Sequence, residues 1–373
     1  MSLNKKTIGL IGGRQLAQML TQRAREMGYD VIVLCNDKDD PAVKYATSWI
    51  KGHEYNEQDL KKLIKKVDVV TFENEAIPAR TLDKALKATQ TECFPKTEHL
   101  ATLQDHWSQK ELMWDYDIPT PEFIKITSKD DLEAAYTVFK GQLVLKKRLG
   151  NRNGGADTYL IKTRQQFNLF QKSHLNKETQ FIAEKYVHFK NEKALIMSRN
   201  QEGDLFIYPL FTAVLKENQR YRVYGPENHK KLKHLIEKIT LMLNKLDYVG
   251  LISFDLFDTG TDLLISEITP RASSSGHITQ DAFSIDQFEL HIRALTGLSF
   301  PKEIHSTQKF LMQNIIGKSI RKPIIAGGLQ GKLHWYNKKN NKAKRKLGHI
   351  NYLGKSIKAL NLAADSDLKK IKS

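Results

Sequence analysis

The sequence predicts a mixed fold, α/β at the N-terminus and α+β beyond it, and three observations carry that reading. Strand-length apolar runs alternate with a helical run between residues 7 and 73, the rhythm of a parallel mononucleotide-binding-type sheet. The stretch HWSQKELMWDYDIPTPEF, 106–123, is a helix broken by prolines and reads as a linker into a new domain. From 142 to 271, apolar runs separated by glycine-rich or Asp-Thr-Gly turns read mainly as antiparallel strands.

Bulk properties fit such a chain. Its 373 residues suggest two or three domains, and 40% of them are apolar. No apolar run approaches the ~20 residues of a membrane helix. MSLNKK leads into TIGLIGG without a secretory apolar region, and Cys35 and Cys93 have no metal or redox spacing. A reduced, cytoplasmic setting is therefore expected. The net charge is +17. It would suit a nucleic acid, but no aromatic-basic recognition motif is present, so phosphate-bearing small molecules are the expected partners, with no membrane.

The elements follow in order. TIGLIG (7–12) is a buried strand, Gly12 and Gly13 turn it, and QLAQMLTQRAREMG is a helix ended by Gly28. DVIVLC (30–35) and VDVVTFE (67–73) are further strands. The turn lacks a full G-x-G-x-x-G, so a plain tight turn and an anion site at the helix start both stay open. QLVLKKRLGNRNGGADTYLI (142–161) is strand, glycine-rich turn, strand. TQFIAEKYVHFKNEKALIMSR (179–199) reads as two strands about a short turn, and DLFIYPLF (204–211) as one strand. HKKLKHLIEKITLMLNKLD (229–247) is an amphipathic helix, with Leu232, Leu235, Ile236, Ile239, Leu243 and Leu246 on its apolar face. GLISFDLFDTG and TDLLISEITPR form a hairpin. After a helix at 286–297, short strands and basic turns are expected.

Several residues can carry chemistry. Asp255 and Glu267 lie on the two arms of the hairpin, where paired carboxylates repel unless a cation joins them, a pattern that suits Mg²⁺ with a nucleotide. Lys146 closes LVLK just before the glycine turn, where a lysine pairs with phosphate. AEKYV (183–187), with Glu192 beyond it, has the form of an adenine-reading strand end and a ribose acid. Each feature alone also reads as ordinary strand or loop.

Their order, together with IGLIGGRQLAQML, VVTFENEAIP, LQDHWSQKEL, YVGLISFDLF, SEITPRASSSGH, DQFELHIRALTG and RKLGH, resembles the ATP-grasp superfamily. Within it the chain is similar to the N5-carboxyaminoimidazole ribonucleotide synthetases, the ATPase subunits of phosphoribosylaminoimidazole carboxylase. The resemblance covers residues 7 to 354. It implies an N-terminal α/β domain at 1–105, an ATP-grasp clamp at 106–300 with lobes dividing near 190, and a small β-rich C-terminal domain at 301–373. By resemblance, Lys110, Lys146, Glu184, Lys185, Val187 and Glu192 hold ATP, and Asp255 and Glu267 hold Mg²⁺. Gly13, Gln15, Glu73, Lys338, Arg345 and Lys346 bind the acceptor, a ribonucleotide phosphate. Arg271, Ser275, His277 and Asn153 are the implied catalytic residues. The implied reaction carboxylates aminoimidazole ribonucleotide with ATP and bicarbonate through carboxyphosphate, in a homodimer.

The chain departs from the family in places. The glycine loop has Arg152, Asn153 and Gly155 where the family has tyrosine, aspartate and lysine. Thr212, Ala213, Leu215 and Lys216 replace Glu-Asn and His-Arg, and Asp255 replaces a glutamate. Ser266 replaces asparagine, Ser273 and Ser274 replace His-Asn, and His106 replaces an arginine. The losses gather near bicarbonate, the imidazole and the phosphate loop. They keep two alternatives open: an ATP-grasp ligase with a changed phosphorylated acceptor, and a catalytically impaired nucleotide-binding paralogue.

Overall fold

The computed structural model describes residues 6–87, 89–150, 158–174, 180–216, 219–302, 308–317, 324–325, 328–336, 338 and 345–372. Asn153 and Arg152, singled out above, lie outside these residues.

The N-terminal domain contains strands β1 (Thr7–Ile11), β2 (Asp30–Cys35), β3 (Ser48–Lys51), β4 (Val69–Phe72) and β5 (Glu92–Cys93). They form one parallel sheet in the order β3-β2-β1-β4-β5. The β-branched runs IGLI, VIVL and VVTF fill its centre because both faces are covered by helices. Those helices are α1 (Gln15–Glu26), α2 (Glu57–Ile64), α3 (Ala79–Leu86) and α4 (Thr97–Gln104). The short strands β3 and β5 at the two edges had no sequence signal.

The strand order reverses between β1 and β4, where α/β sheets bind ligands. Gly12, with φ +103°, turns the chain there. The Glu73 carboxylate accepts from the N–H groups of Arg14 (2.7 Å) and Ala17 (2.9 Å). The start of α1 is thus capped by the protein's own carboxylate, which answers the question the glycine turn left open.

Helix α5 (His106–Asp115), capped by Asp105, leads into the clamp. The small lobe is a sheet in the order β6-β9-β7-β8, from β6 (Phe123–Ile126), β7 (Leu143–Lys147), β8 (Thr158–Ile161) and β9 (Phe181–Lys185). Helices α6 (Lys129–Val138) and α7 (Arg164–His174) cover it. The large lobe adds β10 (Asn191–Arg199), β11 (Leu205–Ile207), β12 (Leu210–Lys216), β13 (Gln219–Glu227), β14 (Gly250–Asp258) and β15 (Leu263–Thr269). Its helices are α8 (Leu232–Lys245), α9 (Thr279–Ala282) and α10 (Gln287–Thr296). The C-terminal part supplies β16 (Lys309–Ile316), β17 (Ile324–Ile325), β18 (Lys332–Trp335), β19 (Lys346–Gly354), α11 (Ile357–Lys370) and β20 (Ile371–Lys372).

Four expectations are corrected. β9 and β10 are not a hairpin: β9 pairs with β6 and β7 in the small lobe, while β10 pairs with β12 and β14 in the large one. The stretch 204–211 is two strands, β11 and the start of β12, parted at Tyr208 and Pro209 because proline cannot donate to a ladder. The C-terminal strands are not all short. β16 and β19 pair over eight positions and extend the large-lobe sheet in the order β15-β14-β10-β12-β13-β16-β19-β18. A helix, α11, follows them. Its buried face includes Asp367, which accepts from the N–H groups of Gln330 and Gly331, so its apolar periodicity is broken. Among the described residues no helix is long and apolar enough to cross a membrane.

A Cβ at Gly12 would sit 2.6 Å from Glu73 Cγ, whereas nothing lies within 4 Å of one at Gly28, a second positive-φ glycine. Gly12→Ala is expected to cost more than about 2 kcal/mol and Gly28→Ala only about 1 kcal/mol, measured by urea unfolding.

Candidate active site

The clamp closes on a buried charge cluster. Glu184 on β9 is 2% exposed and lies 3.0 Å from Lys146 Nζ on β7 and 3.2 Å from Lys110 Nζ on α5. Burial alone would raise the Glu184 carboxyl, but the two ammonium groups outweigh it and hold it below the usual range. Burial pulls Lys110 down to about 8 against the attraction of Glu184. Lys146 also donates to the Ser266 carbonyl of β15 at 3.3 Å, so it spans the two lobes. Lys185 is not brought to this cluster. Its side chain points outward to Glu122, because successive residues of a strand face opposite ways. The N–H groups of Lys185 and Tyr186 are used by the carbonyls of Glu122 and Gln142. Val187 lies in the segment that crosses from β9 to β10.

Across the cleft, Asp255 and Glu267 are direct cross-strand partners on β14 and β15. Glu192 lies on the same face, since Ala194, two residues on, pairs with Asp255. Asp255 accepts from Arg220 Nη2 at 2.9 Å. The Glu267 carboxylate has no ion pair or hydrogen bond among the described residues. Burial, and the neighbouring Asp255, raise its pKa against the pull of Lys146. Burial also raises Glu192.

A basic cluster stands beside these acids. Lys338 Nζ donates to Gln15 Oε1 at 3.0 Å and to the Lys346 carbonyl at 2.8 Å. Lys346 Nζ approaches Ser274 Oγ at 3.4 Å. Burial pulls both lysines down to about 8, helped by Arg345 at Lys338 and by Arg220 at Lys346. Gln15 also meets His277 Nε2 at 2.9 Å. Gly13 is close-packed, with Cys35 Sγ 2.7 Å from where its Cβ would be. Burial raises Glu73 to about 7, despite the two N–H groups it accepts from.

The loop after β15 completes the site. Arg271 forms a two-pronged ion pair with Glu75, whose second contact is 2.9 Å. His277 is fully buried, and burial together with nearby cations holds its pKa well below the usual histidine range, so it is neutral. Ser275 Oγ is buried without a hydrogen-bond partner among the described residues. Ser273 Oγ accepts from the Ser275 N–H. His106 is pulled to about 4 by burial and by Lys146, so it is neutral where an arginine would be charged. A cavity of about 430 Å³ joins the halves, lined by Arg14, Glu75, His106, Lys146, Gly150 and Glu267 among others.

Arg220 and Glu75 carried no functional signal in the sequence. Glu75 lay inside the quoted VVTFENEAIP but had no signal for its arginine partner. Arg220 had none, for its placement depends on strand pairing.

Two antiparallel sheets closing on a lysine–glutamate cluster, with carboxylates on the facing hairpin, are the frame of an ATP-grasp ligase. Residues 111–288 match the ATP-grasp domain. Residues 5–104 match the ribonucleotide synthetase preATP-grasp domain, and 311–362 the phosphoribosylaminoimidazole carboxylase C-terminal domain. Taken together, these matches place the chain in the N5-carboxyaminoimidazole ribonucleotide synthetase family. The N5-carboxyaminoimidazole ribonucleotide synthase of Staphylococcus aureus is 28% identical over 366 residues, 96% of each chain. That of Saccharolobus solfataricus is 27% identical over 97% of this chain and 94% of its own. The crystal structure of the S. aureus synthetase complexed with ADP superposes with a TM-score of 0.87 at 27% identity, covering 97% of this chain and 96% of that one. The Thermotoga maritima synthetase gives 0.85 at 28% identity, covering 98% and 99%.

Glu184→Gln leaves two buried ammonium groups without a counter-charge. At pH 7 it is expected to cost about 3–5 kcal/mol. The wild-type carboxyl has a lowered folded pKa, so its contribution is present above the unfolded value of 4.5 and fades as pH falls below it. Urea unfolding of both proteins should show the gap closing below pH 4.5.

Proposed function

We propose that the chain uses ATP and bicarbonate to carboxylate 5-aminoimidazole ribonucleotide to N5-carboxyaminoimidazole ribonucleotide, a step of purine synthesis. The observation that carries this reading is the meeting of Lys338, Lys346, Gln15 and His277 beside the Lys146–Glu267 cleft. A cationic pocket with one amide and one neutral imidazole suits a ribose phosphate with a small heterocycle. The relatives' names supply the particular acceptor.

In this reading Lys110 and Lys146 hold the nucleotide phosphates, and the Val187 segment and Glu192 hold adenosine. The γ-phosphorus bonds to a bicarbonate oxygen as its bond to the ADP oxygen breaks. The carboxyphosphate then loses phosphate and passes its carbon to the ribonucleotide amine, which gives up a proton. His277 acts as a neutral hydrogen-bond partner that orients Gln15, since its low pKa keeps off the second proton a general acid would give up. Arg271, fixed by Glu75, and the unspent Ser275 hydroxyl face the acyl group.

The carboxylate of Glu267 fits a divalent ion, because no side chain among the described residues claims it; Asp255 fits less well, being held by Arg220. When bound, Mg²⁺ supplies charge neutralisation at phosphate oxygens. Mg²⁺ as the ion, a homodimer as the assembly and a cytoplasmic location belong to the same proposal. A second reading sends the same chemistry to another phosphorylated amine. It is favoured by Ser273, whose hydroxyl is spent within its own turn.

Phosphate release from Mg-ATP with bicarbonate tests the two readings. Strong stimulation by aminoimidazole ribonucleotide with carboxylated product is expected. ATP binding without stimulation would favour the second. Lys338→Ala should lower kcat/KM for the ribonucleotide by about 10- to 100-fold, the worth of one charged hydrogen bond. Since Lys338 and Lys346 lose their protons near pH 8, the KM for the ribonucleotide should rise above that pH while the KM for ATP changes less.

A further inference from the structure

Arg220 is not used by the chemistry above, yet it lies at its centre. Its position comes from a β-bulge. β13 pairs with β12 as Ala213↔Val223 and Val214↔Arg222, and then as Leu215↔Arg220, so Tyr221 is an extra residue. Strict alternation would place Tyr221 opposite Leu215 and turn Arg220 to the far face. The bulge re-aims Arg220 onto the face of Ala213, which pairs with Glu192 and so shares the side of Asp255.

The guanidinium is then spent only in part. Nη2 donates to Asp255 at 2.9 Å, and the side chain is 14% exposed. Nε is buried with no hydrogen-bond partner among the described residues. A buried, unsatisfied donor on a planar fork is a binding edge waiting for an acceptor. Charge also matters. A divalent ion on Asp255 would meet a guanidinium already seated on that carboxylate, with Lys346 close by, and like charges in a buried cleft repel. Glu267 is different, since its neighbouring cation, Lys146, is already held by Glu184 and the Ser266 carbonyl.

We propose that Arg220 is a resident cation that takes the place of a metal ion at Asp255, anchored by that carboxylate and presenting its free N–H edge to anionic oxygens of the nucleotide and bicarbonate. Glu267 alone then holds a divalent ion. The shorter aspartate and the bulged arginine form one substitution of charge: a fixed +1 in place of an exchangeable +2.

This inference rests on the ATP reading, and its test separates the two. Mn²⁺ binding to the full chain with saturating ADP is measured by electron paramagnetic resonance, with ADP affinity measured on the same samples with and without metal. The wild type is expected to hold a single Mn²⁺ and to lose less than about tenfold in ADP affinity without metal, because the arginine keeps a charge-assisted contact. Arg220→Met keeps the apolar stem and frees Asp255. It should gain a second Mn²⁺ and a larger metal dependence, and adding Asp255→Asn should remove that ion. Two Mn²⁺ ions on the wild type would overturn the proposal without any variant. A folded Arg220→Met with unchanged stoichiometry would overturn it as well. Absence of ADP binding would overturn the ATP reading along with it, whereas ADP bound with two ions overturns this inference alone.

Discussion

Glu184 lies between Lys110 and Lys146, and the clamp depends on that buried ion cluster. Three charges are withdrawn from water here, each 11% exposed or less. Removing Glu184 would leave both ammonium groups without a counter-charge in a medium that solvates them poorly. The cluster ties α5 to both β7 and β9, and the Lys146 contact with Ser266 joins them to β15 in the other lobe. An apolar cluster of the same volume would serve stability at least as well. Two ammonium groups sharing one carboxylate leave net positive charge in the cleft, which suits an anionic ligand.

The other half of the site is set by a sheet that ignores domain boundaries. β16 and β19 continue the large-lobe sheet, so Lys346 at the start of β19 stands close to Arg220 and Asp255. Lys338, between β18 and β19, reaches back to Gln15 at the start of α1. Behind it lies a packed ring stack: His334 and His349 lie 4.5 Å apart, Tyr336 bonds His349 Nδ1, and Asp281 bonds His334. His349 in turn packs against the buried His277, with ring centroids 5.2 Å apart. Glu73 caps α1 from inside, so the positive end of that helix is already occupied.

Legibility in the sequence follows the range of the interactions. β1, β2 and β4 could be read because a strand buried on both faces needs an unbroken β-branched run. The β14–β15 hairpin could be read because Asp-Thr-Gly and alternation are local signals, and they placed Asp255 opposite Glu267. The order of Lys146, Glu184, Asp255 and Glu267 pointed to the clamp. What failed depended on distant pairing. Nothing near Glu184 indicates that β9 and β10 part into different sheets. The extension by β16 and β19 and the helix α11 built around buried Asp367 are decided by neighbours far along the chain. Arg220 shows this most clearly: one extra residue in β13 reverses its facing, and its sequence context gives no sign of that.

In the proposed reaction phosphate leaves ATP for bicarbonate before carbon reaches the acceptor. Turnover with heavy-oxygen-labelled bicarbonate and aminoimidazole ribonucleotide tests it most directly. Each released phosphate should then carry one bicarbonate oxygen, found by mass spectrometry. Unlabelled phosphate accompanied by carboxylated product would contradict it, since ATP would then be cleaved by water or by another acceptor.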